Sequence, residues 1–163
     1  MDTIFRVIQG IMQDNVQKVH GIKTVYNGDP GLIAEKLLPA ITIYPTNSNL
    51  NARSIGSTGI DTVVHSIGIS IIYDMRSGFS KSPEEFTLQL TLFKTIFERD
   101  TSGNLKDDCV IGALRTYANM NIQDEVEFMD NFDITWGTND TRGYPTLEAA
   151  ITFDATILLS RPA

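Results

Sequence analysis

The chain has 163 residues, 42% of them hydrophobic and 20% charged, and a formal net charge of -7 from 13 Lys and Arg against 20 Asp and Glu. This is the balance of a folded globular chain, not of a disordered or collagen-like one, and the length suits a single core. Without a Lys/Arg cluster to neutralise phosphates the chain is not expected to grip nucleic acid. With Cys109 as its one cysteine it forms neither an intrachain disulfide nor a multi-cysteine zinc site.

Ile4, Val7, Ile8, Ile11 and Met12 recur at helical spacing, with Arg6, Gln9, Gln13 and Asp14 opposite. This predicts an amphipathic helix over the first twenty residues, started by Asp2 and ended by Gly21, with Lys18 and His20 in its last turn. Residues 22–26 read as a short strand, 27–31 as a Gly/Pro turn, 32–38 as one or two helical turns, and 40–44 as a second short strand. Residues 45–59 are rich in Asn, Ser, Thr and Gly and show no period, so they read as a long functional or partner-ordered loop.

Residues 60–74 alternate. Val63, Ile67, Ile69, Ile71 and Tyr73 share one face and Thr62, Ser66, Gly68, Ser70 and Asp74 the other, which predicts a long strand buried on one side. Ser82-Pro83-Glu84-Glu85 has the pattern of a capping box with proline at the first helical position, so a helix is expected to start there. Phe86, Leu90, Phe93 and Phe97 follow as its apolar stripe, widened by Leu92 and Ile96, and it ends near Arg99. Residues 100–106 form a polar connector and 105–118 a further helix, in which Gly112 costs about 1 kcal/mol relative to alanine.

The last forty residues read as an antiparallel hairpin. Val126, Phe128, Phe132, Ile134 and Trp136 are expected on one face, with Glu125, Glu127, Asp133 and Thr135 opposite. A turn-like stretch over 137–145 leads into the alternating run from Leu147 to Leu159. The predicted class is α+β: a single domain over 1–163 with a mostly antiparallel sheet and helices on one face.

Sites of chemistry are sparse. Neither a G-x-G-x-x-G nor a G-x-x-x-x-G-K-[ST] occurs, and Gly56-Ser57-Thr58-Gly59 is too short and precedes a strand. No G-x-S-x-G elbow accompanies the two histidines; His20 reads as a helix-end residue and His65 as a packing residue. Asp124, Glu125, Glu127, Asp130 and Asp133 invite a hard-cation reading, but they lack EF-hand spacing and read as a solvated sheet face. Asp100-Thr101-Ser102-Gly103-Asn104 resembles a calcium loop only in composition. Cys109, beside Asp107 and Asp108, is expected to be inert. Asn139-Asp140-Thr141 matches a glycosylation sequon, but no export signal or membrane span is apparent, so a cytosolic product is expected. No catalytic, cofactor or metal residues are assigned, and the chain is not expected to be an enzyme.

Leu37-Leu38-Pro39-Ala40-Ile41-Thr42-Ile43-Tyr44-Pro45 leads into a polar loop and a long strand over 61–73. A phenylalanine-rich helix, the 105–117 segment and a closing pair of strands follow. This order resembles the tail terminator (tail-completion or neck) proteins of tailed bacteriophages and related contractile injection machines. The resemblance implies a non-catalytic virion subunit, assembled in the host cytoplasm as a homo-oligomeric, six-fold ring on the head-proximal end of a tail tube. Its implied partners are the tail tube protein, the head-side connector or stopper and, in a contractile tail, the sheath. Genomic DNA would pass through the lumen unheld, which an acidic subunit suits. On this reading the two polar loops contact neighbouring subunits or the tube, through Asn47, Asn49, Asn51 and Arg53 in the first and Thr138, Asn139 and Arg142 in the second.

Overall fold

The structure, a computed structural model, describes residues 2–52, 60–78, 87–121 and 126–160. In chain order these form helix α1 (Asp2–Ile11), a wider π-helical segment (Met12–Gln17), strand β1 (Thr24–Asn27), a 3-10 turn (Glu35–Leu37), and strands β2 (Ala40–Ala52) and β3 (Ile60–Asp74). A second 3-10 turn (Met75–Gly78) precedes helices α2 (Leu88–Ile96) and α3 (Val110–Asn121), and strands β4 (Val126–Asn139) and β5 (Thr146–Ser160) close the chain. The strands form one sheet in the order β1-β2-β3-β5-β4, in which only the β1–β2 pairing is parallel. This is the expected α+β class.

The alternation in β3 and β5 decides where the core lies. Ile67, Ile69 and Ile71 pair with Phe153, Ile151 and Ala149, and all six are buried. Ile8, Ile11, Met12 and Val16 of the first helical segment, Leu92 and Ile96 of α2, and Val110 and Leu114 of α3 pack on that same face. A smaller cluster of Ile33, Leu38, Ala40 and Ile72 lies apart, joined by Tyr26, Leu37 and Tyr144. It is built largely from the connection between β1 and β2, since parallel neighbours need a crossover of about a dozen residues.

Several boundaries differ from the sequence expectation. The first helix widens to π geometry after Ile11, where the Asn15 side-chain amide donates to the Ile11 carbonyl at 3.0 Å, and it ends at Gln17 rather than running to residue 20; a turn over 18–21 follows, with Gly21 at φ +65°. Residues 45–52 are not loop: β2 continues to Ala52, paired with β3 from Asn47↔Ser66 to Ala52↔Asp61. A register shift between Pro45 and Asn47 accommodates the proline, which has no N–H to give the ladder. Of the expected first loop, 53–59 lies outside the described residues.

The described part of α2 starts at Leu88, not at the Ser82 box. Thr87 is extended, and its hydroxyl accepts from the Leu90 N–H at 3.4 Å, which makes it the cap; residues 82–86 lie outside the described residues. The helix stops at Ile96 rather than Arg99, because Arg99 pairs with Leu105 in an isolated antiparallel bridge. β4 carries two register shifts, between Val126 and Phe128 and between Asp130 and Asp133, with Asn131 at φ +56° in the second. Val126 therefore pairs with Ile157 but Phe128 with Thr156, positions of opposite parity, so the single-face alternation expected from 126 onward begins only at Phe132.

Gly112 explains itself by space. A Cβ there would lie 1.7 Å from the Lys106 carbonyl oxygen, so the 106–109 turn packs directly on the bare helix backbone. Gly112→Ala is therefore expected to lower stability by about 1–3 kcal/mol through overpacking, despite the helix-propensity gain of about 1 kcal/mol. Exposed Thr116→Ala in the same helix should be neutral or slightly stabilising. Urea denaturation of the two variants checks this, and a stabilised Gly112→Ala would contradict the packing described.

Candidate interaction surface

Helix α2 faces two ways. Leu88, Leu92, Thr95 and Ile96 turn into the core, and the Thr95 hydroxyl bonds to Tyr73 Oη at 3.1 Å. Leu90 and Phe93 fall on the other side and remain 41% and 45% exposed. From the sheet, Trp136 in β4 pairs with Ala149 and so belongs to the core-facing side, yet it is 47% exposed. Its indole stacks on Phe93, with centroids 6.0 Å apart and planes inclined by 19°. Together with Thr87, Gln89 and Leu147, these side chains line an open apolar groove of about 470 Å³.

Contiguous exposed apolar patches of this kind mark interaction surfaces, whereas single exposed residues such as Leu32 need no explanation. Covering the exposed halves of three large side chains would contribute on the order of 3 kcal/mol. Association alone costs roughly 4–15 kcal/mol, so covering this groove would not by itself hold a complex together. Sequence periodicity placed Leu90, Phe93 and Trp136 on the core side. It could not report that α2 is too short to cover the border where they meet.

The residues expected at the interface fall into two separate groups. Thr138 is exposed, lies two residues beyond Trp136, and pairs with Leu147, one wall of the groove. Asn47 is exposed and lines a polar hollow of about 290 Å³ with Thr46, Ser66, Asp133, Thr152 and Asp154. There the Asp154 carboxylate accepts from Ser66 Oγ at 2.7 Å and from Asn131 Nδ2 at 3.4 Å. Asp154 and Leu147 lie seven residues apart on β5, so the two groups are separated by roughly 23 Å along the strand. Asn49 and Asn51 occupy β2 opposite Val64 and Thr62; Arg53 lies outside the described residues.

Asn139 and Arg142 shape the β4–β5 turn. Asn139 Oδ1 accepts from the Thr141 N–H at 2.9 Å and the Thr141 hydroxyl at 2.7 Å, so the two polar ends of the sequon bond each other. The Arg142 guanidinium, only 6% exposed, donates to both Asp29 oxygens at 2.9 and 3.0 Å, to both Glu148 oxygens at 2.9 and 3.0 Å, and to the Gly31 carbonyl at 2.7 Å. It ties the first turn of the chain to the last. This cation, expected at a subunit contact, has its donors engaged within its own chain.

The other motifs resolve into local structure. Asp100 Oδ1 accepts from the Ser102 and Asn104 N–H groups, each at 2.9 Å, so the calcium-like stretch is an Asp-centred turn. Cys109 is buried and its thiol donates to the Lys106 carbonyl at 3.2 Å. His65 bonds Ser48 Oγ through Nδ1 at 2.7 Å, and partial burial pulls its pKa below the ordinary imidazole value. In the acidic run, Asp133 is exposed, while Asp124 and Glu125 lie outside the described residues. His20 brings a ring nitrogen close to carboxylate oxygens of Glu98 and Asp108. No protein-family model matches this sequence, and no curated protein matches it significantly.

The Arg142 hydrogen bonds hold Asp29 below its ordinary value of 3.8; burial pushes Glu148 up, but bonds from Arg142 and Thr146 bring it below its ordinary 4.5. Both carboxylates bind protons less tightly folded than unfolded, so their stabilisation is complete above these ordinary values and is lost as pH falls below them. Denaturation midpoints measured from about pH 6 down to about pH 3 should therefore fall, and fall less steeply in Arg142→Met. At neutral pH that variant should cost about 3 kcal/mol, the low end for a broken buried pair because Asp29 is one-third exposed. An unchanged acid slope in Arg142→Met would show that the guanidinium does not set it.

Proposed function

We propose that this chain is a structural subunit of a tail-terminator type, which assembles head to tail into a ring on the head-proximal end of a phage-like tail tube. There it ends tube growth and joins the tail to the head-side connector. The observation that carries this reading is the open apolar groove of Leu90, Phe93 and Trp136, placed beside β4, an edge strand of the sheet.

A ring of identical subunits needs two different, mutually complementary patches on each. The groove and the Thr138 rim form one, which an apolar patch of the neighbour would cover; the polar end around Asn47, about 23 Å away along β5, is a separate polar contact and not the complement of the groove. The bulge and left-handed Asn131 interrupt β4, so its regular edge is confined to residues 133–139, next to the groove. A short regular edge limits open-ended strand pairing and suits one defined neighbour. The element order, which resembles the terminator family, and the charge of -7, which suits a lumen that passes DNA without holding it, support the same reading.

Native mass spectrometry and negative-stain imaging of the protein, alone and with tail-tube protein from the same source, test the proposal. A closed ring, alone or capping one tube end, is the expected result, and Phe93→Ser combined with Trp136→Ser should abolish it while leaving the monomer folded. Self-elongating tubes would reassign the chain to the tube, and a monomer that ignores tube ends would overturn the reading.

A further inference from the structure

Three polar side chains meet where the helical segments end. His20 lies in the turn after the π-helical segment, Glu98 just beyond α2, and Asp108 in the turn that leads into α3. One ring nitrogen and one oxygen from each carboxylate lie within 4.8 Å of one another, and among the described residues this is the one such grouping of three. Two of these side chains also carry a buried orphan: His20 Nε2 and Asp108 Oδ1 are both sealed from solvent and have no hydrogen-bond partner.

Burying a ring nitrogen and a carboxylate oxygen without partners carries a desolvation penalty that folded chains ordinarily avoid. Glu98 is compensated only weakly, by Lys106 Nζ at 3.5 Å. The scaffold that holds these groups is well bonded. The Lys106 N–H donates to the Glu98 carbonyl at 2.8 Å, the Arg99–Leu105 bridge closes the connector, and the His20 N–H donates to the Val16 carbonyl at 3.1 Å. A convergent donor set with two unsatisfied buried atoms is the pattern expected of residues that bind a metal ion.

We propose that His20, Glu98 and Asp108 bind a divalent transition ion of the zinc class, which clamps the N-terminal helical segment to the ends of α2 and α3. One imidazole nitrogen and two carboxylate oxygens suit borderline ions such as Zn²⁺ or Co²⁺, whereas Ca²⁺ and Mg²⁺ prefer all-oxygen shells. A tetrahedral ion with ligands at about 2.0–2.2 Å holds them about 3.4 Å apart, so binding draws the three donors together by up to about 1.4 Å. Three protein ligands leave a fourth position for water. No local pattern marks His20 as a ligand, because its partners Glu98 and Asp108 stand 78 and 88 residues further along the chain.

The test uses the untagged 163-residue chain after chelator treatment, titrated with Zn²⁺ alone and, in parallel, with Co²⁺. The expected result is one ion per chain, a rise in melting temperature as metal is added, and a visible Co²⁺ ligand-field spectrum. His20→Gln and Asp108→Asn should each weaken binding on the order of 100-fold or more, since even outer-shell changes cost about 10–100-fold. Asp108→Asn keeps the shape of the side chain and removes a buried charge, so its metal-free melting temperature shows that the fold survives. Absence of binding to the wild type, or binding retained in either variant, would overturn the site.

Discussion

Everything in this fold hangs on one uninterrupted pairing, that of β3 with β5 from Ile60↔Ser160 to Asp74↔Thr146. Fifteen consecutive partners leave no slack in register, and slipping β3 by one residue would turn Ile67, Ile69 and Ile71 to the solvent side while Phe153 and Ile151 of β5 stayed on the core side. That cost fixes the central ladder, and the other strands then have one place each. β2 pairs with the outer side of β3 and carries β1, while β4 pairs with the outer side of β5. The helices follow, because the odd-numbered residues of β3 and β5 present the one large apolar surface on which they can be buried.

The same ladder creates the exposed groove. A 15-residue strand spans about 50 Å, whereas the nine residues of α2 span about 14 Å. The helix covers the middle of the sheet and leaves the outer strand, β4, only partly protected. Trp136 sits at that margin, on the core-facing side of a strand that runs past its cover, and Phe93 leans across to stack on it. An apolar border between a short helix and a free strand edge is a mechanical consequence of the topology, and it is also the surface that a neighbouring subunit would cover most favourably. At the same end of β4, Arg142 draws Asp29 and Glu148 together, so the turn beside the free edge is held rigid.

Legibility in the sequence followed burial. β3 and β5 could be read because one face of each is packed, which imposes a period of two on the residues. The second half of β2 could not, since Thr46, Asn47 and Ser48 are all exposed and carry no alternation; only pairing with β3 makes them strand. The start of α2 was read at the Ser82 box because that signal is strong locally, while Thr87 caps the described helix without an equally strong signature. Trp136 shows the limit differently: parity gave its side of the sheet, but not how far the helices extend over it. Arg142 with Asp29, 113 residues apart, and His20 with Asp108 are pairings that no local pattern announces.

Trp136 is the sole tryptophan, so its fluorescence reports on the groove without labelling. The most direct measurement is acrylamide quenching of that emission as the protein is concentrated and then mixed with tail-tube protein. Burial of the groove at a subunit interface predicts a blue-shifted emission and a loss of quenching in step with assembly. Assembly that leaves Trp136 as quenchable as in the monomer would contradict the claim that this aromatic border is the surface through which the chain works.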